Sequence, residues 1–137
     1  MPYCTQADLV ERFGENELLD LASDDTGLAI DAPVVDGAIA DASGEIDGYV
    51  SAAGYTVPLS NVPRIITAYA CDIARYRLSD DRATEQVTKR YNDAVKFLRS
   101  VAKGEVRLGI ASSESAAGSA GSVMMDTGRR VFNGGGF

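Results

Sequence analysis

The apolar residues of this chain recur at intervals of three and four in three long segments, the spacing of one face of an α-helix. The segments run from about Val34 to Ala53, from Pro63 to Leu78 and from Thr84 to Lys103. Their apolar stripes are Val35, Ile39, Ala42, Ile46, Tyr49 and Ala53; then Ile66, Tyr69, Ile73 and Tyr76; then Val87, Tyr91, Ala94, Leu98 and Val101. Three such stripes can bury one another, so the pattern predicts a mainly α protein, a small antiparallel helical bundle.

Two shorter helices are expected before these segments. Thr5 suits the N-terminal cap of the first, and Gly14 separates it from a second helix at about Glu15 to Ala22. At the other end, Gly104 follows the last stripe and suits a helix stop. We therefore expect four to five helices in a domain of residues 1–104.

The composition changes after this domain. Residues 111–122 are almost entirely Ser, Ala and Gly, which bury too little surface to offset chain entropy. Apolar and basic residues then return, so we interpret residues 105–137 as an extended arm, a linker that ends in a docking peptide. The residues expected to make its contacts are Met124, Met125, Arg129, Arg130, Val131 and Phe132.

The charge balance argues against a free-standing nucleic-acid binder. The net charge is -7, from 20 acidic and 13 basic residues, and an acidic chain repels the phosphate backbone. Basic residues nevertheless gather in the last two long helices, at Arg75, Arg77, Arg82, Lys89, Arg90 and Lys96. A DNA-binding face is one interpretation, and we favour a solvated face with intrahelical ion pairs such as Glu85 with Lys89.

The sequence offers little for catalysis or cofactor binding. There is no histidine, and the two cysteines cannot build a structural zinc site by themselves. The pairs Asp24-Asp25 and Asp80-Asp81 suit loops and helix caps, and no glycine-rich phosphate loop is present. We expect no enzyme activity, no metal and no cofactor. Cys4 and Cys71 fit the buried or half-buried thiols of a cytosolic protein, and a disulfide between them is left open. No secretion signal or membrane span is expected.

Small residues form a line along the first long helix. Ala40, Gly44 and Gly48 are spaced four apart on one face, although glycine within a helix costs about 1 kcal/mol relative to alanine. We interpret the face as a site of close helix packing, within the subunit or across an interface. Sequence drift in a helix held by its apolar stripe is the alternative.

Short motifs distributed from Tyr3 to Ile110 resemble the Mu-like phage and prophage family of small head–tail connector proteins. They are Thr5-x-x-Asp8-Leu9, Phe13-Gly14-Glu15, Glu17-Leu18, Asp41-Ala42, Glu45-Ile46-Asp47, Pro58-Leu59, Val62-Pro63, Arg90-Tyr91, Phe97-Leu98 and Ala102-Lys103-Gly104. The most specific one is Asp72-Ile73-Ala74-Arg75-Tyr76-Arg77-Leu78. The chain departs from the family at Gly54, where an arginine is usual before the tyrosine.

The resemblance implies a helical adaptor that assembles in rings, often of twelve copies. Such a ring lies beneath the portal protein, extends the DNA channel without binding DNA specifically, and presents a surface to a tail, stopper or terminator protein. The expected location is the head–tail junction of the virion, and the host cytoplasm during assembly. The alternative is a small helical interaction module, regulatory or accessory to packaging, that binds a single protein partner.

Two sets of residues acquire expected roles from this resemblance. The small-residue face and the arm are expected to contact neighbouring subunits or the portal. The residues expected to face the channel are Asp36, Asp41, Glu45 and Asp47, whose negative charge keeps DNA from adhering.

Overall fold

The computed structural model describes residues 2–110, and within them the backbone forms five α-helices. They are α1 (Gln6–Phe13), α2 (Glu15–Leu21), α3 (Ala32–Ala52), α4 (Arg64–Ser79) and α5 (Glu85–Ala102), with a short 3-10 helix at Asp80–Arg82. No β-strand is present in this part of the chain. The predicted mainly α class and all five predicted helices are confirmed.

Local hydrogen bonds define the helix ends that the sequence indicated. The Thr5 hydroxyl accepts from the Asp8 backbone N–H at 3.2 Å, and the Asp8 carboxylate accepts from the Thr5 N–H at 3.0 Å. These reciprocal bonds satisfy two backbone donors at the start of α1. Gly14 has φ +92°, a conformation that side-chain-bearing residues rarely adopt, and this allows α2 to begin directly after α1.

The core lies where α3, α4 and α5 pack against one another. The predicted stripes supply it, with Val35, Ile46, Ile66, Ile73 and Leu98 among the completely buried side chains. The short helices add Leu9 of α1 and Leu18 of α2 to this core, and both side chains are also completely buried. The bundle therefore closes its hydrophobic core within a single subunit.

The segment after α5 folds back on the bundle. Leu108 is buried in the core cluster, and its backbone N–H donates to the Tyr55 hydroxyl at 3.1 Å. Residues 105–110 thus cover the helices, whereas we expected the arm to begin at residue 105. The rest of the predicted arm, residues 111–137 with all six of its expected contact residues, lies outside the described residues.

Among residues 2–110, none of the helices has the length and apolar character needed to cross a membrane.

Candidate functional site

The small-residue face of α3 is open to solvent. Ala40, Gly44 and Gly48 are all exposed, and a methyl group built on either glycine would meet no atom within 4 Å. Packing of this face within the subunit, one of our two interpretations, is therefore wrong for residues 2–110. Its role across an interface between subunits stays a prediction.

A groove of about 460 Å³ runs between α3 and the residues that precede and begin α1. Its lining residues are Pro2, Cys4, Thr5, Gln6, Asp36, Ile39, Ala40, Ser43, Gly44 and Asp47. The lining surface is mainly apolar, and Ala40 and Gly44 belong to it, whereas Gly48 does not. We call this the α1–α3 groove. It places two of the three small residues beside two carboxylates.

Tyr3 fixes the wall of this groove opposite α3. Its backbone N–H donates to the Ser43 hydroxyl at 3.0 Å, and its own hydroxyl accepts from the Leu59 N–H at 2.9 Å and donates to the Asp47 carboxylate. Burial, together with the bond to Asp47, raises the pKa of Tyr3 to about 12. The segment before α1 is thus tied to α3 and to the connector before α4.

Sequence reasoning missed this role of Tyr3. The residue lies outside every helical stripe, so periodicity carried no information about it. The resemblance to connector proteins began at Tyr3, and that was its one available signal.

The four acids expected to face the channel fall into two groups. Glu45 accepts from Arg77 Nη2 at 2.8 Å and from the Tyr91 hydroxyl at 3.0 Å, and Asp47 accepts from Tyr3. The side chains of Asp36 and Asp41 are exposed and form no hydrogen bond or ion pair with the described residues. The pKa of Arg77 is nevertheless raised by its hydrogen bond to Glu45 and also by the charge of Asp41. Exposure to a channel stays a prediction, and Asp36 and Asp41 are the acids that remain available for it.

The most specific motif of the resemblance, residues 72–78, connects the helices. Arg75 makes two hydrogen bonds to Glu17 of α2, the Nη2–Oε1 distance being 3.0 Å, and its guanidinium lies 4.2 Å from the ring centroid of Phe13. The Tyr76 ring stacks on that of Tyr91 at 4.1 Å and 9°. Tyr91 in turn donates to Glu45, so the motif joins α4 to the other four helices.

Asp72, in the same motif, lies in a partly buried environment that disfavours its charged form. Burial raises the pKa of its carboxyl, while Arg90, Arg75 and Arg12 act in the opposite direction. The motif therefore supports the fold: Asp72 and Arg75 are partly buried between helices, whereas Arg77 is exposed and pairs with Glu45 at the surface.

Three of the basic residues that the sequence placed in the last two long helices, Arg75, Arg77 and Lys89, form ion pairs within the subunit. Arg75 and Arg77 are neutralised by glutamates, which weakens the interpretation of a DNA-binding face. The predicted pairing of Lys89 with Glu85 is wrong, because Lys89 Nζ lies 3.2 Å from Asp93 Oδ2 instead. Both acids stand four residues from Lys89, and spacing alone does not distinguish them.

The described residues offer little for metal or thiol chemistry. No group of three or more His, Cys, Asp or Glu side chains in residues 2–110 is arranged to hold a metal ion. Cys4 and Cys71 are both buried and free, as the sequence suggested. In the loop before α3, the Asp24 carboxylate accepts from Thr26 and Gly27, and the Thr26 hydroxyl bond in particular lowers the pKa of Asp24. This acid thus serves the turn, as its loop position predicted.

The chain matches the family model described as Bacteriophage Mu, Gp36, over residues 3–127. It belongs to the phage Mu gp36 family. It is 32% identical over 130 residues to the Mu-like prophage FluMu protein gp36 of Haemophilus influenzae, covering 95% of this chain and 92% of that protein. It is 37% identical over 118 residues to gene product J of Escherichia phage Mu, covering 85% and 82%. The expected Mu-like phage family is confirmed, and this gp36-family chain is a phage protein.

Family membership also bears on the predicted arm. The match to the FluMu protein covers 130 of the 137 residues, so it includes most of the chain beyond Ile110. Most of the segment therefore has a counterpart in the FluMu protein.

Proposed function

We propose that this gp36-family protein is a head–tail connector adaptor, a structural virion protein that forms a ring beneath the portal and extends the DNA channel. One observation carries the proposal: this phage protein folds as a compact helical bundle, and a face of its longest helix, α3, remains open. Ala40, Gly44 and Gly48 are exposed on that face, and no described atom lies within 4 Å of a methyl group built on either glycine. A ring needs such a surface, because every subunit must contact two others.

The division of charges fits passage of DNA without adhesion. Arg75 and Arg77 are paired with glutamates, which compensates their positive charge within the bundle. Asp36 and Asp41 remain exposed, and the whole chain is negative by 7 charges. An acidic channel wall repels the DNA backbone, and Asp41 is the first candidate because Asp36 also lines the α1–α3 groove.

The partners in this role are further copies of the same chain, the portal protein above and a tail, stopper or terminator protein below. We propose a structural, non-enzymatic role with no cofactor. The protein assembles in the host cytoplasm and ends at the head–tail junction of the virion.

A nonsense mutation in the gene, with complementation from a plasmid, tests the function. Without the protein, we expect DNA-filled heads and complete tails that fail to join, seen by electron microscopy of lysates. Complementation restores joined particles. Joined virions in the absence of the protein contradict the proposal. If the purified chain forms a one-to-one complex with a single partner and no ring, the interaction-module alternative replaces it.

A further inference from the structure

We propose that the α1–α3 groove receives residues 123–132 of a neighbouring copy of this chain. The inference rests on the proposed ring and names the contact by which one subunit holds the next. It joins a groove that is open in the described part of the chain to a peptide that lies beyond it.

The groove has the chemistry of a peptide-binding site. Ile39 and Ala40 give it apolar surface, and Gly44 has no side chain to hold a peptide backbone away from α3. Asp36 and Asp47 lie about three helical turns apart, roughly 16 Å at 1.5 Å per residue. Asp36 has no ion-pair partner among residues 2–110, so a cation brought into the groove can pair with it.

The end of the chain has the complementary chemistry. Residues 123–132 read Val-Met-Met-Asp-Thr-Gly-Arg-Arg-Val-Phe, which is apolar at both ends and net positive. An extended peptide covers about 16 Å in five residues at ~3.3 Å each. Arg129 or Arg130 can therefore meet Asp36 while methionine or phenylalanine side chains lie on Ala40 and Gly44.

The chain length outside the described residues is sufficient for such a contact. Twelve residues, 111–122, connect Ile110 to this peptide. A Ser/Ala/Gly-rich chain of that length spans about 20 Å on average and at most about 40 Å. This exceeds the diameter of a helix, about 10 Å, so the peptide is not confined to the surface next to Ile110.

Site-specific photo-crosslinking in the full-length protein tests the inference. A photoreactive p-benzoylphenylalanine replaces Phe132, the protein is irradiated, and products are separated on a denaturing gel. We expect covalent dimers, whose digested peptides join position 132 to residues 2–6 or 36–47. Crosslinks to the same residues in the monomer band show that the peptide occupies its own groove and overturn the assignment to a neighbouring copy. Crosslinks to other surfaces overturn the assignment of the groove as the binding site.

Two leucine substitutions on α3 provide a matched comparison. Gly44→Leu fills the groove, and Gly37→Leu places the same side chain at an exposed glycine that does not line it. Both replace a helical glycine with open space around it, so both are expected to fold. We expect Gly44→Leu to lower the dimer yield about tenfold, as for loss of a central interface contact, and Gly37→Leu to leave it unchanged. Equal yields from the two variants overturn the proposal.

Charge exchange supplies an independent measurement. Asp36→Lys weakens crosslinking to the groove, and combining it with Arg129→Asp and Arg130→Asp restores the yield. Absence of rescue, with all variants folded by circular dichroism, counts against the pairing. Groove-linked dimers from a protein that ignores the portal refute the adaptor function and leave this inference standing. If the Gly44→Leu variant assembles normally on the portal, the groove inference is refuted and the adaptor function is retained.

Discussion

Arg75 of α4 and Glu17 of α2 form a paired contact, with Arg75 Nη2 3.0 Å from Glu17 Oε1 and a second hydrogen bond from Nε. The Arg75 side chain is only 11% exposed, and it lies over the ring of Phe13 in α1. One side chain thus attaches both short helices to the main bundle. Since α1 and the residues before it form a wall of the α1–α3 groove, this pair also supports the proposed binding surface.

Replacing Arg75 should therefore destabilise the fold. We expect Arg75→Ala to lower the free energy of unfolding by about 2 kcal/mol, because it leaves the Glu17 carboxylate without its partner in a partly buried site. Lys89→Ala is the control, since the side chains of Lys89 and Asp93 are 77% and 55% exposed and such pairs contribute about 0.5 kcal/mol or less. Urea denaturation followed by circular dichroism measures both. Equal losses in the two variants would show that the Arg75 contact is no stronger than a surface pair.

The Tyr3 hydroxyl predicts a specific response to alkaline pH. An unfolded tyrosine loses its proton near pH 10, whereas the pKa of Tyr3 in the folded protein is about 12. The folded state therefore holds the proton longer, so this stabilisation is complete below pH 10 and is lost as the pH rises from about 10 to 12.

In Tyr3→Phe this contribution is absent. We expect the variant to lose about 1 kcal/mol at pH 7, from its missing hydrogen bonds, and to show a smaller further loss between pH 10 and 12. The decline does not vanish, because burial also raises the pKa of Tyr69 and Tyr91. Denaturation series at several pH values provide the measurement. Parallel curves for the variant and the parent protein would exclude Tyr3 as a source of the pH dependence.

The open face of α3 predicts that one glycine can be replaced with benefit. Gly48 is exposed within the helix, and a methyl group there meets no atom within 4 Å. Gly48→Ala should raise the free energy of unfolding by about 0.5 to 1 kcal/mol, because alanine loses less chain entropy in a helix. Thermal denaturation of the isolated protein tests this. A destabilised variant would mean that the face is packed within the subunit after all.

Helical periodicity predicted the architecture well, because apolar residues that recur every three or four positions share one face of a helix and are buried together. The stripe residues Ile46, Ile66, Ile73 and Leu98 are all completely buried, and their spacing alone placed them together. The threonine and glycine at the helix ends added the boundaries, since capping depends on local hydrogen bonds.

The connections between helices were harder to predict. Sequence spacing showed Arg75, Arg77 and Glu45 as charges on helices, but it could not show that Arg77 pairs with Glu45 across 32 residues of chain. Such long-range pairs depend on how the helices pack against one another. For the same reason, four acids assigned one role separate into two that bond within the subunit and two that remain exposed.

Residues 105–110 show a second limit of prediction from periodicity, because a segment without a helical pattern can still pack against the core. Their irregular composition gave no helical pattern, so they were assigned to the arm. Leu108 nevertheless enters the core and bonds to Tyr55, 53 residues earlier in the chain. Val106 and Ile110 also pack against the core, and none of these contacts has a periodic signature in the sequence.

Electron microscopy of the purified full-length protein, alone and mixed with its portal protein, tests the adaptor function most directly. We expect a ring that stacks on the portal, coaxial with its channel, in images of the mixture. A protein that remains monomeric and leaves the portal unchanged, at concentrations where both are folded, would contradict this function.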